Sequence, residues 1–202
     1  KTAWTLGDER SLDQGLALAA KLDAWDRLLV ESPGLLTRLW ERTRALGRPQ
    51  DGRALIDVAL VLAPTAEVER EAKVLDVWQS SLGGKPEDVL ARLEQLPAES
   101  RQQPELVVLR ARTLAASERA DEGIASLDQY ARHSPANLDV ALTLVELLAK
   151  AGRFHDAHAT LERARPFVSS QQARSGLFQT EANLWGQEER WGRALDALQT
   201  AS

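Results

Sequence analysis

The chain has 202 residues, 44% hydrophobic and 27% charged, the balance of a folded protein and not of a disordered one. A net charge of -5, from 25 Lys+Arg against 30 Asp+Glu, supplies no basic footprint for a phosphate backbone, so no nucleic acid is expected as a partner. With no Cys, disulfides and thiolate metal sites are excluded; no apolar run reaches the length of a membrane span, so no direct membrane insertion is expected of this segment.

Taken in order, residues 1–31 carry the weakest pattern. Ser11 and Gln14 read as a capping box ahead of Leu12, Leu16, Ala19 and Ala20, and a second segment carries Trp25, Leu28, Leu29 and Val30. Ser32-Pro33 reads as a helix start, followed by Leu36, Leu39, Trp40 and Ala45 up to the break at Gly47 and Pro49. Asp51 is expected to cap the next helix, whose stripe reads Ala54, Leu55, Val58, Ala59 and Leu62 until Pro64. Thr65 then opens a helix with Val68, Ala72, Leu75, Trp78 and Leu82 on one face, ended by Gly83-Gly84. Pro86, Glu87 and Asp88 suit the first turn of its partner, where acids favour the helix dipole; Val89, Leu90, Leu93 and Leu96 follow. Residues 97–103 read as a polar loop.

Pro104 starts a further pair, with Val107, Ala111 and Leu114 on its first helix and Gly123, Leu127 and Tyr130 on its second. Ser134-Pro135 is expected to open the best-patterned stretch. There Ala141, Leu144, Val145 and Leu148 recur at i, i+3, i+4 and i+7, Gly152 supplies a turn, and Phe154, Ala157, Leu161 and Ala164 line a second helix. A last pair carries Phe178, Ala182 and Trp185, then Trp191, Ala194 and Leu198. Nothing alternates like a strand, so the fold class is all-α.

Leu144, Leu148, Gly152, Phe154, Ala157, Leu161 and Ala164 together resemble the tetratricopeptide repeat (TPR), with Ala141 and Ser169 standing where that family often has Trp and Pro. Gly123 and Ala157 stand 34 residues apart, the period of that repeat; Ala157 and Ala194 stand 37 apart, the excess falling in the loop at 166–174. The resemblance implies a TPR-like α-solenoid, a right-handed superhelix of antiparallel helix pairs forming a single array over residues 1–202. The expected pairs are 33–64, 65–97, 104–133, 135–165 and 171–202, with 1–31 a degenerate or partial repeat.

No catalytic constellation appears, and the chain is expected to be no enzyme and to need no cofactor: there is no phosphate loop, nucleophile elbow or HExxH motif. His155, His158 and Glu162 have a spacing that can place ligands on one helix side, but no distant partner beyond His133 completes a set, so no metal is expected. Trp40, Trp78, Trp185 and Trp191 fall on apolar stripes and read as core, whereas Trp4 and Trp25 are placed on no stripe.

In the TPR family the first helix of each pair lines a groove that holds a partner segment. Carried over, the groove positions are Glu105, Val108 and Arg112; Asp139, Leu142, Glu146 and Lys150; and Gln179, Asn183 and Gln187, with Thr37, Glu41, Arg44, Arg70 and Lys73 as the counterparts nearer the N-terminus. The resemblance implies a non-catalytic protein-interaction scaffold. The absent initiator Met and the apolar Trp191, Leu195 and Leu198 suggest a segment of a longer chain. The Arg/Ala/Leu-rich, Cys-free style is similar to periplasmic TPR segments of bacterial exopolysaccharide exporters of the cellulose, alginate or Pel type. A polysaccharide-modifying enzyme is then the expected protein partner, with direct glycan binding, or a cytoplasmic regulatory or assembly role, as alternatives.

Overall fold

A computed structural model of the chain describes residues 25–201, and every described element is helical. The helix opening expected at Ser11 and Gln14, and Trp4, lie outside the described residues. The chain divides between Ala98 and Glu99 into two compact units.

In the first unit lie α1 (Trp25–Glu31), α2 (Leu35–Ala45), α3 (Pro49–Leu62), α4 (Ala66–Ser81) and α5 (Pro86–Gln95). Its core gathers Leu29, Leu36, Leu39 and Trp40 with Leu55, Ile56 and Ala59 of α3 and Val68, Ala72 and Leu75 of α4. Each fully buried Leu or Ile contributes roughly 1.5–3 kcal/mol by leaving water. Polar links tie α4 back to α2 and α3. The Thr37 N–H and Oγ1 both donate to Glu71 Oε1, at 2.9 and 2.6 Å. Trp40 Nε1 donates to Gln79 Oε1 at 2.8 Å, and Gln79 Nε2 donates to the Pro49 carbonyl at 3.1 Å. Asp76, nearly buried, accepts from Arg53 of α3 at 2.6 Å and from Arg92 of α5, so one carboxylate joins three helices.

Several details differ from the sequence expectation. The buried face of α3 is Gly52, Leu55, Ile56 and Ala59, one step round from the expected stripe, which leaves Ala54, Val58 and Leu62 exposed. Gly52 decides this: a Cβ there would meet Thr43 Oγ1 at 2.7 Å and Trp40 Cδ1 at 3.2 Å, so α2 and α3 approach closest at a residue without a side chain. On α4, Val77 is buried and Leu82 exposed. The expected loop after Pro97 contains a short helix, α6 (Ala98–Arg101). Helix starts also move. Thr65 caps α4 as expected, its Oγ1 accepting from Val68 N at 3.2 Å. Asp51, however, lies inside the first turn of α3, which begins at Pro49.

The second unit holds α7 (Pro104–Ala116), α8 (Ala120–His133), α9 (Leu138–Lys150), α10 (Phe154–Ala164), α11 (Gln171–Gln187) and α12 (Trp191–Ala201). Its core is Val107, Ala111, Ile124, Leu127, Val140, Leu144, Val145, Leu148, Ala157, Leu161, Leu177 and Leu184 with their neighbours, drawn from α7 to α11. From α7 to α10 the sequence stripes and the buried faces coincide, whereas on α11 the buried residues are Leu177, Ala182 and Leu184, with Phe178 and Trp185 only half-buried. Gly123 allows α8 to touch α7: an added Cβ would stand 2.7 Å from the Ala111 carbonyl oxygen and 3.2 Å from its Cα. Asn137, and not Ser134, caps α9, its Oδ1 accepting from Val140 N at 3.1 Å. The extra residues between Ala157 and Ala194 are taken up by a 3-10 turn, Arg165–Phe167, and a linker ending at Ser170, whose Oγ caps α11.

Four turns between paired helices are built alike. Gly47, Glu118, Gly152 and Glu189 all adopt left-handed conformations, with φ of 68°, 61°, 70° and 59°. An Arg follows each, and its N–H donates back to the carbonyl five residues earlier: Arg48 to Thr43, Arg119 to Leu114, Arg153 to Leu148 and Arg190 to Trp185, at 2.8–2.9 Å. This is the Schellman closure, which satisfies carbonyls left open at the end of the first helix. Only two of the four sites carry the glycine that the conformation favours, so half of this motif is hidden from a search for Gly.

Candidate partner-binding face

The first helices of the second unit are α7, α9 and α11, and the residues assigned to the groove fall along them. Three form one network. Arg112 Nη2 donates to Glu146 Oε2 at 3.3 Å across from α7 to α9, and Lys150 Nζ donates to Glu146 Oε1 at 2.7 Å along α9. The hydrogen bond from Lys150 holds the Glu146 carboxyl below the usual glutamate range, against partial burial; the charges of Lys150 and Arg112 act in the same direction. Glu105 and Asp139 are exposed in the first turns of α7 and α9.

Val108 and Leu142 do not stand clear of the surface: both are half-buried against the core. They therefore offer apolar contact between the charges. On α11, Gln179 Nε2 donates to Asn183 Oδ1 at 3.3 Å, leaving the outer amide atoms of both side chains for a ligand. Asn183 and Gln187 also line a cleft of about 640 Å³ between α11 and α12, floored by Ala182, Gly186 and Ala194 and walled by Trp191, Leu195 and Leu198. Trp191, expected in the core, is 66% exposed. Its spacing with Leu195 and Leu198 was the signal that could have found the cleft: these three share a stripe separate from buried Ala194 and Ala197.

The corresponding positions of the first unit are partly committed elsewhere. Thr37 is bound to Glu71, Arg44 lies over the Trp40 ring at 4.8 Å, and Lys73 pairs with Glu69 at 2.6 Å. Glu41 and Arg70 take part in none of these three contacts, and both are exposed.

The histidines have local roles. His158 Nε2 lies 2.5 Å from Glu188 Oε1 and its ring sits 3.8 Å from that of Trp185, joining α10 to the turn after α11. His133 Nδ1 contacts the Gln129 carbonyl at 2.7 Å, and His155 is exposed. Among the described residues no group of three His, Cys, Asp or Glu is placed to hold a metal, and no helix is long and apolar enough to cross a membrane.

Residues 114–174 match the family model described as tetratricopeptide repeat. No curated protein matches the chain. Among solved structures, the fold is similar to TTC0263, a thermophilic TPR protein of Thermus thermophilus, at 21% identity and a TM-score of 0.61, covering 82% of this chain and 88% of that one. It is also similar to MamA AMB-1, at 18% identity and a TM-score of 0.55 over 83% and 95% of the two chains. YrrB, a TPR protein with an unusual peptide-binding site, is similar at 13% identity and a TM-score of 0.55, over 88% and 90%. At these identities the structural likeness speaks for the fold. The chain thus has an all-α, TPR-like helical-repeat fold, and residues 114–174 match the tetratricopeptide-repeat model.

Proposed function

We propose that the chain is a non-catalytic protein-interaction scaffold whose partner segment lies along the first-helix face of the second unit. The observation that carries this reading is the Arg112–Glu146–Lys150 network beside the half-buried Val108 and Leu142. It is a row of positioned charges with apolar contact between them, which suits a peptide of mixed sequence better than a single small ligand. The peptide-binding site named for YrrB, a protein of similar fold, is consistent with it. The setting we propose is a bacterial envelope protein, in the periplasm, where the scaffold recruits an enzyme that modifies an exported polysaccharide. Affinity capture from an envelope extract tests both levels. Recovery of one envelope protein, lost with Arg112→Glu/Lys150→Glu, is the expected result. Recovery of cytoplasmic proteins alone contradicts the setting, and retention by the double variant contradicts the face.

Exposed Trp191 favours a second reading, direct glycan binding, because an aromatic ring flanked by the amides of Asn183 and Gln187 can stack on a sugar and bond its hydroxyls. Titration with cellulose, alginate and amino-sugar oligomers should then quench Trp fluorescence, and an unchanged spectrum removes this reading.

A further inference from the structure

A second groove lies in the same unit and shares no residue with the first-helix row. It runs between α8 and α10 as two adjoining cavities, of about 320 and 410 Å³, with Arg132, Thr160 and Arg163 lining both. One end is apolar, formed by Ala131, Pro135, Ala141, Ala164 and the ring of Phe167, which is half exposed. The other end reaches Asp121 near the start of α8.

The charges at the junction are unequal. Asp128 Oδ2 pairs with Arg132 Nη2 at 2.6 Å, and Asp128 Oδ1 accepts from Arg163 Nη2 at 3.4 Å; Arg163 Nη2 also donates to Thr160 Oγ1 at 3.0 Å. Two guanidinium groups therefore share one carboxylate. Each has five N–H donors in a planar fork, and the described partners use only the Nη2 groups, so a second carboxylate finds positive charge and unspent donors together. Asp128 also holds both arginines in place, which lowers the entropy cost of ordering them on a ligand. At the far end Asp121 is exposed, and the same cavity is lined by Arg153, whose charge is met by Asp156 at 2.7 Å. Eleven residues of α8 separate Asp121 from Arg132, a rise of roughly 16 Å. An extended chain covers that distance in about four or five residues.

We infer that this groove is a second binding site, for an extended peptide with a carboxylate at one end and a basic side chain at the other. Its carboxylate pairs with Arg132 and Arg163, the apolar side chain beside that carboxylate packs on Phe167 and Ala164, and a basic side chain about four or five residues away reaches Asp121. A small anion would use the junction alone and gain nothing from Asp121; the peptide uses both ends.

Nuclear magnetic resonance of the 15N-labelled chain, titrated with the synthetic peptide Phe-Glu-Gly-Ser-Gly-Lys, tests this directly. Amide shifts should concentrate at Ala131, Thr160 and Ala164. Affinity should fall roughly tenfold when the peptide Glu becomes Gln, or in Arg132→Ala/Arg163→Ala, and the fall should be smaller in high salt, where the charges are screened. Asp121→Lys should weaken this peptide and favour one ending in Glu. The peptide-side changes keep the test decisive even if a protein variant folds poorly. Shifts confined to Glu105, Arg112 and Asp139, binding indifferent to the Glu→Gln change, or equal binding of acetyl-phenylalanine would each overturn the inference.

Discussion

Substituting Gly123 by Ala sets two measurable effects against each other. Within a helix interior, Gly→Ala is stabilising by about 1 kcal/mol from propensity alone. At Gly123 the new methyl would stand 2.7 Å from the Ala111 carbonyl oxygen, 3.2 Å from its Cα and 3.3 Å from its carbonyl carbon. These are backbone atoms of α7, so no side chain can rotate away, and the two helices must separate by several tenths of an ångström. Overpacking of this kind costs about 1–3 kcal/mol, and adjacent Leu127 and Ile124, both buried, would lose contact as the helices part. The net expectation is a loss of about 1–2 kcal/mol, or a melting temperature lower by roughly 3–6 °C for a chain of this size. Gly176 is the control: it lies in α11, and a Cβ there meets nothing within 4 Å. Gly176→Ala should raise stability by about 0.5–1 kcal/mol. Thermal and urea unfolding followed by far-UV circular dichroism reads both. If the two substitutions shift stability in the same direction, the close approach of α7 and α8 is wrong.

Three further outcomes follow from the same contacts. Glu118→Gly relieves a left-handed conformation in a non-glycine residue and should stabilise by about 0.5–1 kcal/mol in urea unfolding, whereas Gly152→Ala should cost about 1 kcal/mol. Asp76→Asn removes the charge shared by Arg53 and Arg92; because both arginines remain more than a third exposed, the loss should be only about 1–2 kcal/mol and should shrink in concentrated salt. The carboxyls of Glu146 and Asp128 sit below their ordinary values of 4.5 and 3.8. Hydrogen bonding from Lys150 leads for Glu146; for Asp128 burial pulls upward and is outweighed by Arg132 and Arg163. Groups with depressed folded values stabilise fully above their unfolded values, and that contribution is lost as pH falls through the lower folded ones. Acid titration of stability should therefore steepen below about pH 4.5, less so in Glu146→Gln.

The all-α architecture was legible because α7 to α10 present clean stripes: Val107, Ala111, Leu144, Val145, Leu148 and Leu161 are at once periodic and buried. In α3 the pattern misled because Val58 and Leu62 are apolar yet exposed, and Val61 is 85% exposed, while the residue that fixes the face is Gly52, which hydropathy cannot flag. Trp191 misled for the related reason that an apolar residue at helical spacing need not face the core. The candidate positions on α7 and α9 come from the family's register, and the pairing of Arg112 with Glu146 is a contact between residues 34 apart that only register could suggest. Asp76 and the groove at Arg132 and Arg163 were not legible, because each depends on side chains from separate helices meeting in space.

The most direct test of the scaffold reading is site-specific photo-crosslinking in cells that make the protein, with benzoylphenylalanine placed in turn at Glu105, Asp139 and Gln179 on the first helices, and at exposed His155 on α10 as control. A partner held along the first-helix face gives crosslinks to one and the same protein from the three first-helix positions and none to it from His155. Crosslinks to that protein from His155 alone, or no protein crosslink from any first-helix position, would contradict it.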